Sequence, residues 1–176
     1  GLTYLADSHD LGTELDFSAQ GVEREGETGA IQPETLLEVG LSIEDRWYAS
    51  KDLELHARVR GAYASRYDAG LSAEIGSAYN FGAGFVGRAS ISRTRRVPTA
   101  EELFLFFDHS EVGYIIVGNP DLQPETLNSF RLGSVFRTDD RHFGIELQGF
   151  VHLIENGIVT DSVPDEPSTF TSVNAG

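Results

Sequence analysis

The chain has 176 residues, 40% of them hydrophobic, and a formal net charge of -15. A surface this acidic repels a phosphate backbone and excludes nucleic acid as a partner, while the absence of cysteine excludes disulfides and thiolate metal sites and leaves the compartment open. No run of roughly 20 apolar residues offers a membrane-spanning helix, so any crossing of a bilayer falls to strands, whose alternation keeps mean hydropathy low.

Period-two alternation dominates from the start. Leu11, Thr13, Leu15, Phe17 and Ala19 share one face, with Glu14, Asp16, Ser18 and Gln20 on the other. The same pattern returns in Leu37, Val39, Leu41 and Ile43, then in Leu53, Leu55, Ala57 and Val59, then in Leu71, Ala73 and Ile75. Their opposite sides carry Glu38, Glu44, Glu54, His56, Arg58, Arg60 and Glu74. Phe85 to Ile91, Phe130 to Phe136 and Phe143 to Val151 continue it. With an opening strand at Leu2 and Tyr4, the pattern predicts about eight strands, each with a stretch of roughly nine to eleven residues suited to a tilted membrane crossing.

The connections fall into two kinds. Short turns rich in Asp, Asn, Gly or Ser are predicted at residues 6–10, 47–52, 80–84 and 138–142. Longer links are predicted at 23–35, 95–126 and 155–169, with the 64–69 link compact. Alternating short and long connections fit an up-and-down barrel with small turns at one end and loops at the other. Tyr4, Trp47, Tyr48, Tyr79, Phe81, Phe85, Phe136 and Phe143 flank the short turns and predict an interfacial aromatic girdle, as rings with polar tips favour that layer.

Within the longest link, Pro98 precedes Thr99-Ala100-Glu101-Glu102, a capping-box pattern that predicts a helical turn from Thr99 to about Phe106. Leu103, Phe104, Phe106 and Phe107 are expected to cover the strand rim, and Val112 and residues 114–117 to form a loop strand or hairpin. Pro120 and Pro124 fix φ and remove two amide donors, so that segment is expected to approach the next strand extended.

Other chemistry has little support. His9, His56, His109, His142 and His152 are scattered without ligand spacing, so no metal site is expected. The acid pairs Asp139-Asp140 and Asp165-Glu166 sit in turns and lack the alternating oxygen-ligand pattern of a calcium loop. No nucleophile elbow or phosphate loop occurs. Glu54 and Glu74 share the wet side, but a glycosidase pair needs a separation that sequence cannot supply. The chain is not expected to be an enzyme, and no cofactor is expected.

Two phrases in the longest link carry a resemblance. Arg96-Val97-Pro98-Thr99-Ala100-Glu101-Glu102-Leu103-Phe104 and Asn119-Pro120-Asp121-Leu122-Gln123-Pro124-Glu125-Thr126 occur in the order and at the spacing seen in the barrel of TonB-dependent outer-membrane receptors. Arg66-Tyr67-Asp68, the strand-turn-strand around Trp47, and the 150–158 segment followed by Asn174-Ala175-Gly176 resemble the same family. The resemblance implies an all-β fold, an antiparallel up-and-down transmembrane barrel segment holding about eight strands of a 22-stranded type. It makes residues 1–176 part of a single barrel domain that lacks the plug and the TonB-contacting box. A chain without Met that opens inside a strand and ends on a new strand start at 172–176 is likewise expected to be an internal segment.

The family implies location in the bacterial outer membrane, contact with its lipid, and import of a ferric siderophore, haem or cobalamin driven by TonB through the plug. Arg96, Pro98, Glu102, Leu103, Asn119, Pro120, Leu122, Pro124 and Glu125 match the family phrases and are expected to be structural. Arg95, Arg96, His109 and Tyr114 are candidates for a loop site, where cations pair with an anionic chelate and a ring stacks on it. The alternative for the arginines is ion pairing at the rim with Glu101, Glu102 or Glu111. The rival to the whole assignment is a soluble acidic β-sandwich or small barrel serving as a binding or adhesion module. Isolated, the segment is expected to self-associate through unpaired strand edges.

Overall fold

The computed structural model describes residues 1–25, 31–138 and 142–176. The strands are β1 Leu2–Ala6, β2 His9–Glu25, β3 Ile31–Tyr48, β4 Leu53–Ala64, β5 Tyr67–Gly82, β6 Phe85–Arg96, β7 Phe106–His109, β8 Tyr114–Val117, β9 Glu125–Arg137, β10 Gly144–Glu155, β11 Gly157–Val163 and β12 Glu166–Ala175. One short helix, α1 Ala100–Phe104, follows β6. Eight strands form one sheet in the order β1-β2-β3-β4-β5-β6-β9-β10, with each neighbouring pair antiparallel. That is the up-and-down meander the alternation predicts.

Register keeps the apolar residues in rows. Leu15 faces Leu41, Ile43 faces Val59, Ile75 faces Ile91, Ile91 faces Phe130, and Phe130 faces Val151. Because side chains alternate between faces, this register puts every row on one side of the sheet. That outer side is bare: Leu15 is 72% and Leu147 is 67% exposed. An apolar patch spanning eight strands far exceeds what a monomer leaves in water. A sandwich would cover this face with a second sheet. The other sheet here, β11-β12-β8-β7, lies instead over the loop end, and the soluble sandwich is not what forms.

The inner side is charged and internally paired. Arg60 donates to Asp16 at 2.7 Å and to Glu38 at 2.8 Å. Gly40 lies between these partners, where a β-carbon would collide with the Arg60 guanidinium and would sit 2.7 Å from the Asp16 carboxylate. Glycine here gives Arg60 its path across the strand. The suggested pair Glu54 and Glu74 each have a wall partner, Glu54 the Arg46 guanidinium at 3.1 Å and Glu74 the His56 imidazole at 3.4 Å.

The strands outrun the crossing. β2 has 17 residues and β3 has 18, so the link expected at 23–35 is largely ladder, with its tip at 26–30 outside the described residues. The apolar outer rows keep the expected length, and next beyond Phe17 and Leu37 the outward positions are the small or polar Ala19, Gly21, Glu23 and Thr35. The middle of the 138–142 turn, with Asp139 and Asp140, also lies outside the described residues. The 155–169 link is a hairpin, β11 with β12, and residues 172–175 belong to its return strand instead of starting a new wall strand.

Aromatic rings gather at the short-turn end of the outer face. Tyr79 meets Phe81 edge-on at 4.8 Å, Phe81 tilts against Phe85 at 5.6 Å, and Trp47 stacks on His9 at 5.8 Å. Tyr48 departs from the expected girdle: alternation sets it on the other face from Trp47, where its hydroxyl donates to Asp10 at 2.9 Å. The β5–β6 turn is tight, with Gly82, Ala83 and Gly84 all at positive φ. A β-carbon on Gly84 would also run into the Arg137 carbonyl.

The buried apolar cluster sits at the opposite, loop end. It consists of Leu36, Ala100, Leu103, Phe104 and Leu122, with Val22, Tyr67, Val97 and Ile158 packed around it. Leu36 and Val22 belong to the inner rows of β3 and β2, so α1 docks inside the rim. A bulge between Ala62 and Ala64 gives β5 an extra residue. Such a bulge switches which face the next side chain takes, and Tyr67 turns inward to donate its hydroxyl to the Leu122 carbonyl at 3.0 Å.

Candidate functional site

The loop-end cap is built from the two family phrases. Thr99 caps α1: its hydroxyl accepts from the Glu102 amide at 3.2 Å and its amide donates to the Glu102 carboxylate at 2.7 Å. This is the predicted capping box, though the helix stops at Phe104. Phe106 and Phe107 do not cover the rim; they enter β7 with exposed side chains. The loop hairpin expected near Val112 is present, β7 pairing with β8 around a 3-10 turn at Ser110–Val112.

Arg96 ties the phrases together. Its Nε donates to Glu125 at 2.7 Å and its Nη1 to Glu102 at 2.9 Å. Glu125 also accepts from the Ile158 amide at 3.0 Å, which fastens the β11–β12 hairpin to the same point. On the outer surface below, Arg93, Asn128 and Glu155 form a polar row, with Asn128 bonded to Arg93 at 2.9 Å and to Glu155 at 2.8 Å. That row ends the apolar belt, so the Arg96 cluster stands above it. The Arg96 guanidinium holds the Glu125 carboxyl below its ordinary range, against the opposing effect of burial. For Glu102 burial is the largest influence and pushes upward, but hydrogen bonds from Arg96 and Thr99 outweigh it and bring the carboxyl below its ordinary range.

The second phrase is pinned by several hydrogen bonds. The Gly118 amide donates to the Leu105 carbonyl at 2.6 Å and the Asn119 amide to the Glu102 carbonyl at 2.9 Å. The Asn119 side chain donates to the Ser172 carbonyl at 2.9 Å, and the Gln123 amide donates to Asn174 at 2.7 Å. Pro120 and Pro124 have no amide to satisfy, Pro98 is fully buried, and Leu122 and Leu103 are each 1% exposed.

The four candidate ligand residues divide into three places. His109 and Tyr114 are cross-strand partners, with ring centroids 5.5 Å apart. Phe107 completes a cluster, stacking on His109 at 4.2 Å and lying 6.3 Å from Tyr114. Arg96 is in the ion cluster. Arg95 reaches the other way, donating to the Asp68 carbonyl at 3.0 Å beside a polar cavity of about 550 Å³ that Tyr63, Arg66 and Asp121 also line. Phe107 was legible as the residue two before His109 on one strand face, once β7 is taken as a strand. Among the described residues, no three His, Asp or Glu side chains converge on a metal-sized site.

A single antiparallel layer with a bare apolar belt outside and paired charges inside is a stretch of transmembrane barrel wall. The chain belongs to the TonB dependent receptor-like, beta-barrel family, whose model matches residues 5–176. Its fold is similar to that of the siderophore receptor PirA from Pseudomonas aeruginosa, with a TM-score of 0.81 at 19% identity over 99% of this chain and 35% of that one. It is also similar to the ferric enterobactin receptor PfeA of Pseudomonas aeruginosa, with a TM-score of 0.70 at 16% identity over 98% and 30%. The copper transporter OprC gives a TM-score of 0.75 at 15% identity over 98% and 31%. Identities this low establish likeness of fold alone, and the chain spans about a third of the length of these structures. No curated protein matches the chain.

Proposed function

We propose that residues 1–176 are part of the single barrel domain of a bacterial outer-membrane receptor that binds and imports a chelated nutrient, a ferric siderophore, haem or cobalamin. TonB acts on it through a plug carried elsewhere in the protein, and the bare outer rows contact membrane lipid. The protein acts as a transporter and not as an enzyme. The observation that carries this reading is the aromatic cluster Phe107, His109 and Tyr114, presented on a loop sheet that the Arg96–Glu102–Glu125 cluster anchors to the wall. Two exposed rings, Phe107 and His109, grouped with the half-buried Tyr114 give a flat apolar chelate a stacking surface. Arg95 at its separate cavity supplies a cation for an anionic arm. Similar folds in two siderophore receptors support the ligand class, and the copper transporter widens it to metal cargo in general.

The test is fluorescence titration of the full-length receptor in detergent with ferric enterobactin, haem and cyanocobalamin. One of them is expected to bind, and Tyr114→Ala is expected to weaken it about tenfold, equivalent to about 1.4 kcal/mol. Binding of none, or equal binding by the variant, contradicts the proposed site. Produced alone, residues 1–176 are expected to self-associate through the open edges of β1 and β10. A strictly monomeric species by size-exclusion with light scattering contradicts that expectation.

A further inference from the structure

The inner wall is electrostatically uneven. On β4 and the adjoining β3 the described arginines are taken, Arg60 by Asp16 and Glu38, Arg46 by Glu54 at 3.1 Å and Arg58 by Glu14 at 3.6 Å, while the His56 imidazole stands against Glu74 at 3.4 Å. On β6 and β9 the pattern stops. Arg131 faces Ser90, and Arg88 faces Gly133 two residues along, which makes the arginines diagonal neighbours on the inner side. Among the described residues neither has a carboxylate within ion-pair distance. Both open on a cavity of about 530 Å³ along that wall. Its two carboxylates do not serve them, since Glu54 is held by Arg46 and Glu146 faces Val135, nearer the turn end.

Two unpaired guanidinium groups side by side are unusual in a chain of net charge -15. Arg88 is exposed and Arg131 half-buried on this face; guanidinium stays charged at any working pH, so packing anything over the two without offering a partner costs several kcal/mol. The residues directly across from Arg88 are the small Ala78 and Gly133, and Ser90 lies across from Arg131 on one side and Phe150 on the other. A fork of donors held this way matches a carboxylate. The chain spans only 28–35% of the related structures, so most of a receptor of that size lies outside this sheet.

We propose that Arg88 and Arg131 hold acidic side chains of a polypeptide segment of the same receptor, outside residues 1–176, that packs within the barrel. This rests on the proposed plug-bearing receptor and adds the polarity of one contact: basic wall, acidic occupant. The test uses the full-length receptor with Arg88→Lys or Arg131→Lys and a carbodiimide, which joins an amine to a carboxylate only at ion-pair distance. Peptide mass spectrometry is expected to find position 88 or 131 linked to an Asp or Glu outside residues 1–176. Arg60→Lys serves as control, because Asp16 and Glu38 are wall-internal and must link to it in any folded barrel. Links from 88 and 131 only to wall carboxylates, or none while the control links, overturn the proposal. The readout needs no chelate, so it separates this contact from failure of the transport assignment. Arg88→Glu combined with Arg131→Glu is expected to speed proteolysis of the lumen segment about tenfold, and unchanged cleavage contradicts the proposal.

Discussion

The wall and its loop-end cap are stabilised in opposite ways. In the wall, apolar side chains face outward and none of the described residues covers them, and the inward face is held by ion pairs such as Arg60 with Asp16 and Glu38. In the cap, Leu36, Leu103, Phe104 and Leu122 bury one another as in a water-soluble protein. The wall's larger apolar surface is left uncovered, as the proposed lipid contact requires, whereas the cap carries its own core. Hydrophobic residues mark an uncovered outer face in one region and packing in the other, and burial alone separates them.

The sharpest way to test that contrast is to remove bulk from each region. Leu103→Ala leaves a cavity and is expected to cost the cap about 2–5 kcal/mol, read as faster hydrogen exchange across α1 and residues 118–123 of the full receptor. Leu132→Arg, on the outer rows, is expected to destabilise the membrane-inserted barrel by about 2–4 kcal/mol if it lies near the midplane, measured by denaturant unfolding in lipid; no effect would break the assignment of that face. Gly40→Val displaces Arg60 from its partners and is expected to cost about 1–3 kcal/mol in the same assay. Thr99→Ala removes half of the capping box and is expected to cost about 1 kcal/mol, confined to the exchange of α1.

Acid should loosen the cap. The Glu102 and Glu125 carboxyls lie below their ordinary range when folded, so their stabilising effect is complete above that range and is lost as pH falls through the folded values. Exchange at α1 is expected to quicken in that acid window, and Arg96→Gln is expected to flatten the dependence. An unchanged profile in Arg96→Gln contradicts the role given to that arginine.

The wall was legible because a strand writes its two faces into alternate letters: Leu37, Val39, Leu41 and Ile43 against Glu38 and Ser42 need no tertiary information. Strand length was not, since the ladder of β2 and β3 continues where the outward residues become polar, and backbone pairing leaves no hydropathy signal. The capping box was legible from Thr99 and Glu102 because its bonds are local. Three features were hidden because their partners are distant in sequence: Glu125 reaching Ile158, Asn119 reaching Ser172, and β12 running parallel to β8. The inward turn of Tyr67 depends on a bulge, and nothing in residues 64–69 announces which strand gains the extra residue. His109 and Tyr114 were read as separate candidates, and only cross-strand register makes them one surface.

The most direct test of the central claim is a spin-label scan of β5 from Leu71 to Ile75, one cysteine at a time, in the full-length receptor reconstituted in a bilayer. Positions 71, 73 and 75 are expected to be accessible to oxygen and shielded from a water-soluble nickel chelate, with 72 and 74 shielded from the lipid phase. Loss of that period-two alternation, or its inversion, would contradict a lipid-facing apolar wall.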